Sequence, residues 1–258
     1  MKVAVMQPYL FPYLGYVHLL DAVDHFVVLD DVNHIKRGWV SRNRFLVDGE
    51  ARFVTLPVER ASQNRRINEH RIFEPERSLP DLHRRIVDLH RHHPDIVGTR
   101  GALDELFAET TDDLVTFLVR SLRCISSLCG VEVPMSLAST LDVPRRGTAQ
   151  ERIIELASRL GATEYVNLSG GRDLYDPAAF AEAGLALSFV DSRFDEYPQL
   201  GADPFVPGLS VLDLLFNAPD RSTVEGQVGA HALDRRALEA AAGWPTRTGE
   251  PAKSGEWS

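Results

Sequence analysis

Only two of the 258 residues are cysteine, Cys124 and Cys129, five apart in an apolar stretch. That is too few for a disulfide framework and the wrong spacing for a metal site, so both are expected as buried thiols. No run of eighteen apolar residues occurs, and the opening MKVAVMQPYLF lacks the charged segment, apolar run and small-residue cleavage site of a secretory signal. A cytoplasmic protein with no membrane span is therefore expected. Also missing are a P-loop, a Gly-x-Gly-x-x-Gly turn, a His-Glu-x-x-His helix, a Gly-x-Ser-x-Gly elbow and a Cys-x-x-Cys pair. Positive charge is in deficit as well: 28 Lys and Arg against 37 Asp and Glu leave a net charge of -9. This argues against a generic nucleic-acid coat, which needs an excess of cations.

What is present describes an ordinary globular chain, 44% hydrophobic and 25% charged, long enough to bury a large core. Basic residues gather at 60–71 and 83–93, solvated faces that could also meet a substrate phosphate. His90, His92 and His93 are expected on the surface of an Arg-rich helix.

Residues 2–6 form a β-branched run ended by Gln7-Pro8, and 25–29 form a second apolar strand. Between them Leu14, Val17, Leu20 and Val23 recur at three-residue steps, predicting a helix over 14–23. Strand, helix and strand within about thirty residues make a βαβ unit with parallel strands. Two short β-like pieces, 44–47 and 52–58, flank Asp48-Gly49, a hairpin signal. Helices are predicted over 80–92 and 102–128. Thr148 and Glu151 have the spacing of a capping box for a helix ending at Leu160-Gly161. A strand over 164–168, a short helix over 177–183, a strand over 185–190 and a helix capped by Ser210 follow. The expected fold class is α/β, a mostly parallel sheet flanked by helices, with an antiparallel hairpin excursion after the first βαβ unit. One domain with two lobes is expected over 1–242, and a flexible tail over 243–258.

Open α/β sheets bind ligands beyond the carboxyl ends of their parallel strands, so the residues after each strand are the candidates. After the first comes an aromatic, proline-fixed turn with Gln7, Tyr9 and Phe11. After the second, Asp30-Asp31 places two carboxylates side by side, an arrangement that calls for a proton, cation or ammonium between them. The segment with Lys36, Trp39, Arg42 and Asn43 mixes cations, a ring and hydrogen-bonding groups, which suits a phosphate or carboxylate beside a stacked ring. Ser169-Gly170-Gly171 offers backbone N–H groups to an anion.

Taken together, QPYLFPYLGY, FVVLDDV, the Lys36-x-x-Trp39-x-x-Arg42-Asn43 segment, LPV at 56–58, GATEYVNLSGG, the Tyr197-Pro-Gln199 turn and FVPGLSVLDLLFN resemble the WbqC-like family. The likeness spans 3–217. It departs at Ser169-Gly-Gly-Arg172, where Ser-Gly-Pro-Ala-Ala-Lys is expected; Arg172 can supply the charge of that lysine but not its acid–base chemistry. The resemblance implies acyl or aminoacyl (glycyl among them) transfer to an amino sugar or similar amine in polysaccharide or natural-product biosynthesis. Asp30, Asp31 and Lys36 would be catalytic. Gln7, Tyr9, Phe11, Trp39, Arg42, Asn43, Ser169, Gly170, Gly171, Arg172, Tyr197, Gln199, Asp213 and Asn217 would bind substrate. The acceptor would be a small amine or nucleotide sugar, and the donor an activated acyl group such as an aminoacyl-tRNA. A looser likeness to nucleotidylyltransferase-type enzymes leaves open an ATP-dependent ligase with Mg²⁺ at Asp30 or Asp31, and a non-catalytic binding protein is the third alternative. An enzyme site requires Gln7, Asp31, Arg42, Ser169 and Gln199 to share one pocket.

Overall fold

The computed structural model describes residues 1–235; the expected tail at 243–258 lies outside the described residues. Strands β1 (Lys2–Met6), β2 (His25–Val28), β5 (Met135–Leu137), β6 (Glu164–Leu168), β7 (Ala186–Ser192) and β8 (His231–Asp234) form one sheet in the order β5-β2-β1-β6-β7-β8. All its pairings are parallel except that of β7 with β8. The mostly parallel sheet and its helical flanks are as expected. The hairpin of β3 (Arg42–Val47) and β4 (Glu50–Thr55) stands outside the sheet. Its turn places Asp48 at φ 52° and Gly49 at φ 78°, a left-handed pair that matches strand twist.

The strands alternate sides, as their period of two dictates. Ala4, Phe26, Val28, Val166 and Val190 enter one apolar cluster, with α1 (Leu14–Asp21), α4 (Leu114–Leu128) and α7 (Val211–Asn217). Val3, Val5, Val27, Tyr165, Leu187 and Phe189 enter the other, beneath α5 (Ala149–Arg159) and α6 (Pro177–Glu182). With both faces covered, the strands read as continuous apolar runs. Thr148 and Glu151 form the expected capping box, and Gly161 (φ 71°) follows the C-cap of α5.

The helical region differs from expectation in two ways. The segment 102–128 is not one helix: α3 (Thr99–Phe107) stops, and Asp113 starts α4 afresh by accepting a bond from the Thr116 N–H. The predicted helix over 80–92 is α2 (Pro75–Leu89), which begins five residues earlier with Pro75 at its first position and carries Pro80 within it. It ends before the histidines. His90 is 1% exposed and stacked on Phe216 at 4.2 Å, not on a surface helix; only His92 of the three is exposed. Strands β5 and β8 and helix α8 (Arg221–Val228) escaped prediction because each is short and weakly periodic. Cys129 is buried and Cys124 half-buried, and burial pushes both thiols up, to about 12 and about 11.

The strand order reverses at β1: the first half extends to β2 and β5, the second to β6 and β7. The switch crevice therefore lies beyond the carboxyl ends of β1 and β6.

Candidate functional site

The turn after β1 is held from two sides. Asn43 of β3 is buried and donates to the carbonyls of Leu10 (3.0 Å) and Phe11 (2.9 Å), while the Leu10 N–H bonds to the Trp39 carbonyl (3.1 Å). From the far end of the chain, Val211 N–H bonds to the Pro12 carbonyl, Ser210 N–H to the Arg44 carbonyl, and the Arg44 guanidinium to the Gly208 carbonyl at 2.7 Å. Three separated segments that carried the resemblance thus meet here. Phe11, fully buried at φ 42°, and Asn43 are parts of this brace and do not face a cleft. The carbonyl of Gln7 accepts from the Tyr16 hydroxyl. Tyr9 leads outward to Trp39 (6.5 Å between ring centroids) and Trp39 to the exposed Phe53 (5.8 Å), with Arg42 on the Phe53 ring at 3.9 Å. Lys36 is exposed in the loop before the hairpin.

Asp30 and Asp31 have opposite environments, as adjacent residues leaving a strand should. Asp30 is 1% exposed and fully engaged: Oδ1 accepts from Ser139 N–H (3.0 Å), Oδ2 from the Ser139 hydroxyl (2.6 Å) and Asn68 Nδ2 (3.1 Å). It fastens the turn after β5 to the 67–69 turn. Asp31, 3% exposed, pairs through Oδ2 with Arg152 of α5, and Arg145 stands 3.8 Å from the same oxygen. Its Oδ1 is buried without a hydrogen-bond partner. Burial, and secondarily the charge of Asp30, push the Asp31 carboxyl up, with Arg152 and Arg145 opposing. Asp31 lines a cleft of about 270 Å³ with Arg66, Asn68, Ser139, Asp142 and Arg145 at the carboxyl ends of β2 and β5. Asp30 has both oxygens occupied by protein donors and Asp31 has one, so the pair keeps a single free oxygen, and that one is buried. Among the described residues, no group of three or more His, Cys, Asp and Glu is placed to hold a metal ion.

In the second half, Ser169, Gly170, Gly171 and Arg172 form a 3-10 turn, not an open loop. Arg172 reaches away to Asp234 (2.6 Å) and lies over Phe189. Tyr197, Gln199, Asp213 and Asn217 do come together. The Tyr197 hydroxyl and Gln199 Nε2 both donate to Asp213 Oδ2 at 2.7 Å, Gln199 also clasps Val206 through both of its amide atoms, and Asn217 Oδ1 accepts from the Leu200 N–H. Asp213 is wholly buried, which raises its carboxyl, and its proximity raises the Tyr197 phenol further above the usual range. This network fastens the loop at 197–206 to α7 and forms no open cleft.

Of the five residues expected to share a pocket, only Asp31 lines this cleft. A larger groove of about 810 Å³ lies between the hairpin turn, the end of α2 and Leu200; it contains none of the five. Sequence reasoning missed the cleft residues Asn68, Ser139, Asp142 and Arg145 and also Arg152, which pairs with Asp31 without lining the cleft. Arg152 alone left a trace, a cation beside Ile153 and one turn before Leu156 on the buried side of a helix; Arg66 lay within a noted basic stretch.

Among the described residues no helix is long and apolar enough to cross a membrane. No solved structure matches the chain. The uncharacterized protein Rv1507c of Mycobacterium tuberculosis (strain ATCC 25618 / H37Rv) is 29% identical over 230 residues, covering 85% of this chain and 96% of that one. The family model of the WbqC-like proteins matches residues 7–225, most of the chain and every segment meeting at the first turn, so the chain belongs to the WbqC-like protein family.

Proposed function

We propose that this protein is a transferase that forms an amide between an activated acyl or aminoacyl group and the amine of an amino sugar or similar small molecule, with the cleft at Asp31 as its amine site. The observation that carries the reading is the Asp31 carboxylate: buried at a strand's carboxyl end, one oxygen anchored by Arg152, the other unclaimed, beside a cleft rimmed by Arg66 and Arg145. A substrate ammonium entering the cleft is drawn to this carboxylate, whose free oxygen is buried and must be uncovered by the entering group, and a phosphate or carboxylate of the same substrate can meet the two arginines. The ammonium gives one proton to solvent on becoming nucleophilic, and the free amine attacks the acyl carbonyl. The C–N bond forms, the bond from carbon to the leaving group breaks, and Asp31 accepts the second amine proton and passes it to the departing thiolate or ribose oxygen. Its raised carboxyl suits that role better than an ordinary aspartate would.

The test is direct coupling. Purified protein, a nucleotide-linked amino sugar and either an acyl thioester or an aminoacyl-tRNA are incubated, and the sugar is weighed by mass spectrometry. A mass gain of one acyl group that is lost in Asp31→Asn supports the reading; no gain with any donor removes it. The single pocket expected of Gln7, Asp31, Arg42, Ser169 and Gln199 does not form at this cleft, so the transferase reading rests on Asp31 and its surroundings alone, and the dispersal of the other four favours a second reading, a non-catalytic binding protein of a biosynthetic assembly. That reading expects stabilisation by the sugar nucleotide, about 2.7 kcal/mol at a hundredfold excess over Kd, with no product.

A further inference from the structure

The hairpin side of the molecule carries a surface that the amide-forming reading does not use. Residues 32–47 hold Lys36, Arg37, Arg42 and Arg44 and no acid, in a chain whose net charge is -9. Lys36, Arg37 and Arg42 form no ion pair with any described carboxylate, whereas neighbouring Arg52 pairs with Glu50 at 3.2 Å. Uncompensated cations that crowd one another are costly for a free protein: Arg42 is disfavoured in its charged form first by burial and then by Arg37. Interleaved with them is a ring ladder. It rises from the core at Phe26 through Tyr16 (5.6 Å), Tyr9 (5.3 Å) and Trp39 (6.5 Å) to Phe53 (5.8 Å), which is 42% exposed. Phe53 lies opposite Arg44 in the hairpin register and beneath the Arg42 guanidinium at 3.9 Å. Its ring and the guanidinium plane are therefore stacked on a braced strand, not on a free loop.

Cations without carboxylate partners call for a polyanion, and the partly exposed rings between them, Phe53 at 42% and half-buried Trp39, call for a ligand that alternates phosphate with a flat ring. We infer that the outer face of the β3–β4 hairpin, with Lys36, Arg37, Arg42, Trp39 and Phe53, binds a single-stranded polynucleotide, its bases on the rings and its phosphodiesters on the cations. The inference goes beyond the Asp31 cleft and stands or falls without it, because Asp31 contributes no group to this face.

The probe is a fluorescein-labelled unstructured ribo-oligonucleotide of about eight nucleotides, titrated with the full chain at several salt concentrations from about 50 mM upward. Three phosphate contacts predict a slope of log K against log salt near -2, at roughly 0.7 per phosphate. Lys36→Ala, Arg37→Ala and Arg42→Ala should each make that slope shallower by about 0.7. Phe53→Ala should weaken binding by roughly 5- to 150-fold, the range for loss of one stacked base. These side chains are exposed or half-buried, and circular dichroism checks that each variant folds. Phe73→Ala and Arg91→Ala, an exposed ring and cation elsewhere, should change neither quantity, and Asp31→Asn should bind the oligonucleotide as the parent does. The inference is overturned by no binding at low salt, by equal losses in the two control variants, or by a free nucleoside diphosphate that binds as tightly as the oligonucleotide.

Discussion

Asp31 and Asp213, one in each half of the chain, are buried carboxylates that each leave one oxygen without a hydrogen-bond partner, and they have been built for different ends. Both are pushed up by burial, and both have Oδ1 without a hydrogen-bond partner. Asp31 faces a guanidinium, which holds the charge on the carboxylate in a site that opens to a cleft. Asp213 is held by neutral donors, a phenol and an amide, and is sealed at 0% exposure. The comparison teaches that a buried acid is a candidate for chemistry only when it has both a counter-charge and an opening; without them it is a fastener.

The largest effect expected from breaking this contrast is at Arg152. Arg152→Ala leaves buried Asp31 with only Arg145, 3.8 Å from Oδ2, and should cost up to about 3–5 kcal/mol, measured by urea denaturation. Replacing both partners, Asp31→Leu with Arg152→Met, should recover most of that stability while leaving no acyl transfer, which separates the pair's role in folding from its role in chemistry. Asp31→Asn should lower the coupling rate by about 10²- to 10⁴-fold, the usual loss when a general base is removed. A variant as active as the parent would make Asp31 a fastener like Asp213.

Asp213→Ala should cost about 1–3 kcal/mol, because the Tyr197 hydroxyl and the Gln199 amide lose their shared acceptor. Ligand affinity at the Asp31 cleft should stay unchanged in that variant. Acid titration then compares the two regions again. His34, beside the 65–68 segment that borders the cleft, and His90, stacked on Phe216 of α7, are both pushed down to about 4, chiefly by burial. Unfolded histidines titrate near 6.5, so the stability these two contribute is complete above that pH and is lost as pH falls towards 4. Each should account for up to about 1.4 kcal/mol per pH unit in that window, and His34→Phe or His90→Phe should each flatten the slope. The smallest effect is at Gly49, where φ is 78° and an added Cβ would meet only the Gly201 carbonyl, at an ordinary 3.5 Å: Gly49→Ala should cost about 1 kcal/mol in thermal unfolding.

The first βαβ unit was legible because its period of three, its Gln7-Pro8 stop and its apolar strands all agree locally. The hairpin was legible from Asp48-Gly49, and α5 from its capping box. The break at Asp113 was not, since the apolar stripe runs on through it and only the cap reveals a new helix. The candidate site was half legible. Asp30-Asp31 stood out as a repulsive pair in need of a partner, but the partners Ser139, Arg145 and Arg152 lie more than a hundred residues away, and no local pattern links them. Phe11 and Asn43 were read as ligand contacts because polar and aromatic residues after a strand have that chemistry; the fold spends them on bracing a turn.

By itself the sequence determined most of the elements, the parallel sense of the sheet and the family, because short-range periodicity, turn chemistry and steric restriction act within a dozen residues. Tertiary structure alone decided which acid of the Asp30-Asp31 pair faces the cleft, that Tyr197, Gln199, Asp213 and Asn217 lock a loop, and that Lys36, Arg37 and Arg42 meet no carboxylate among the described residues. The physical reason is that burial and counter-charge are properties of neighbours in space, and those neighbours come from strands and helices whose order in the sheet is not their order in the chain.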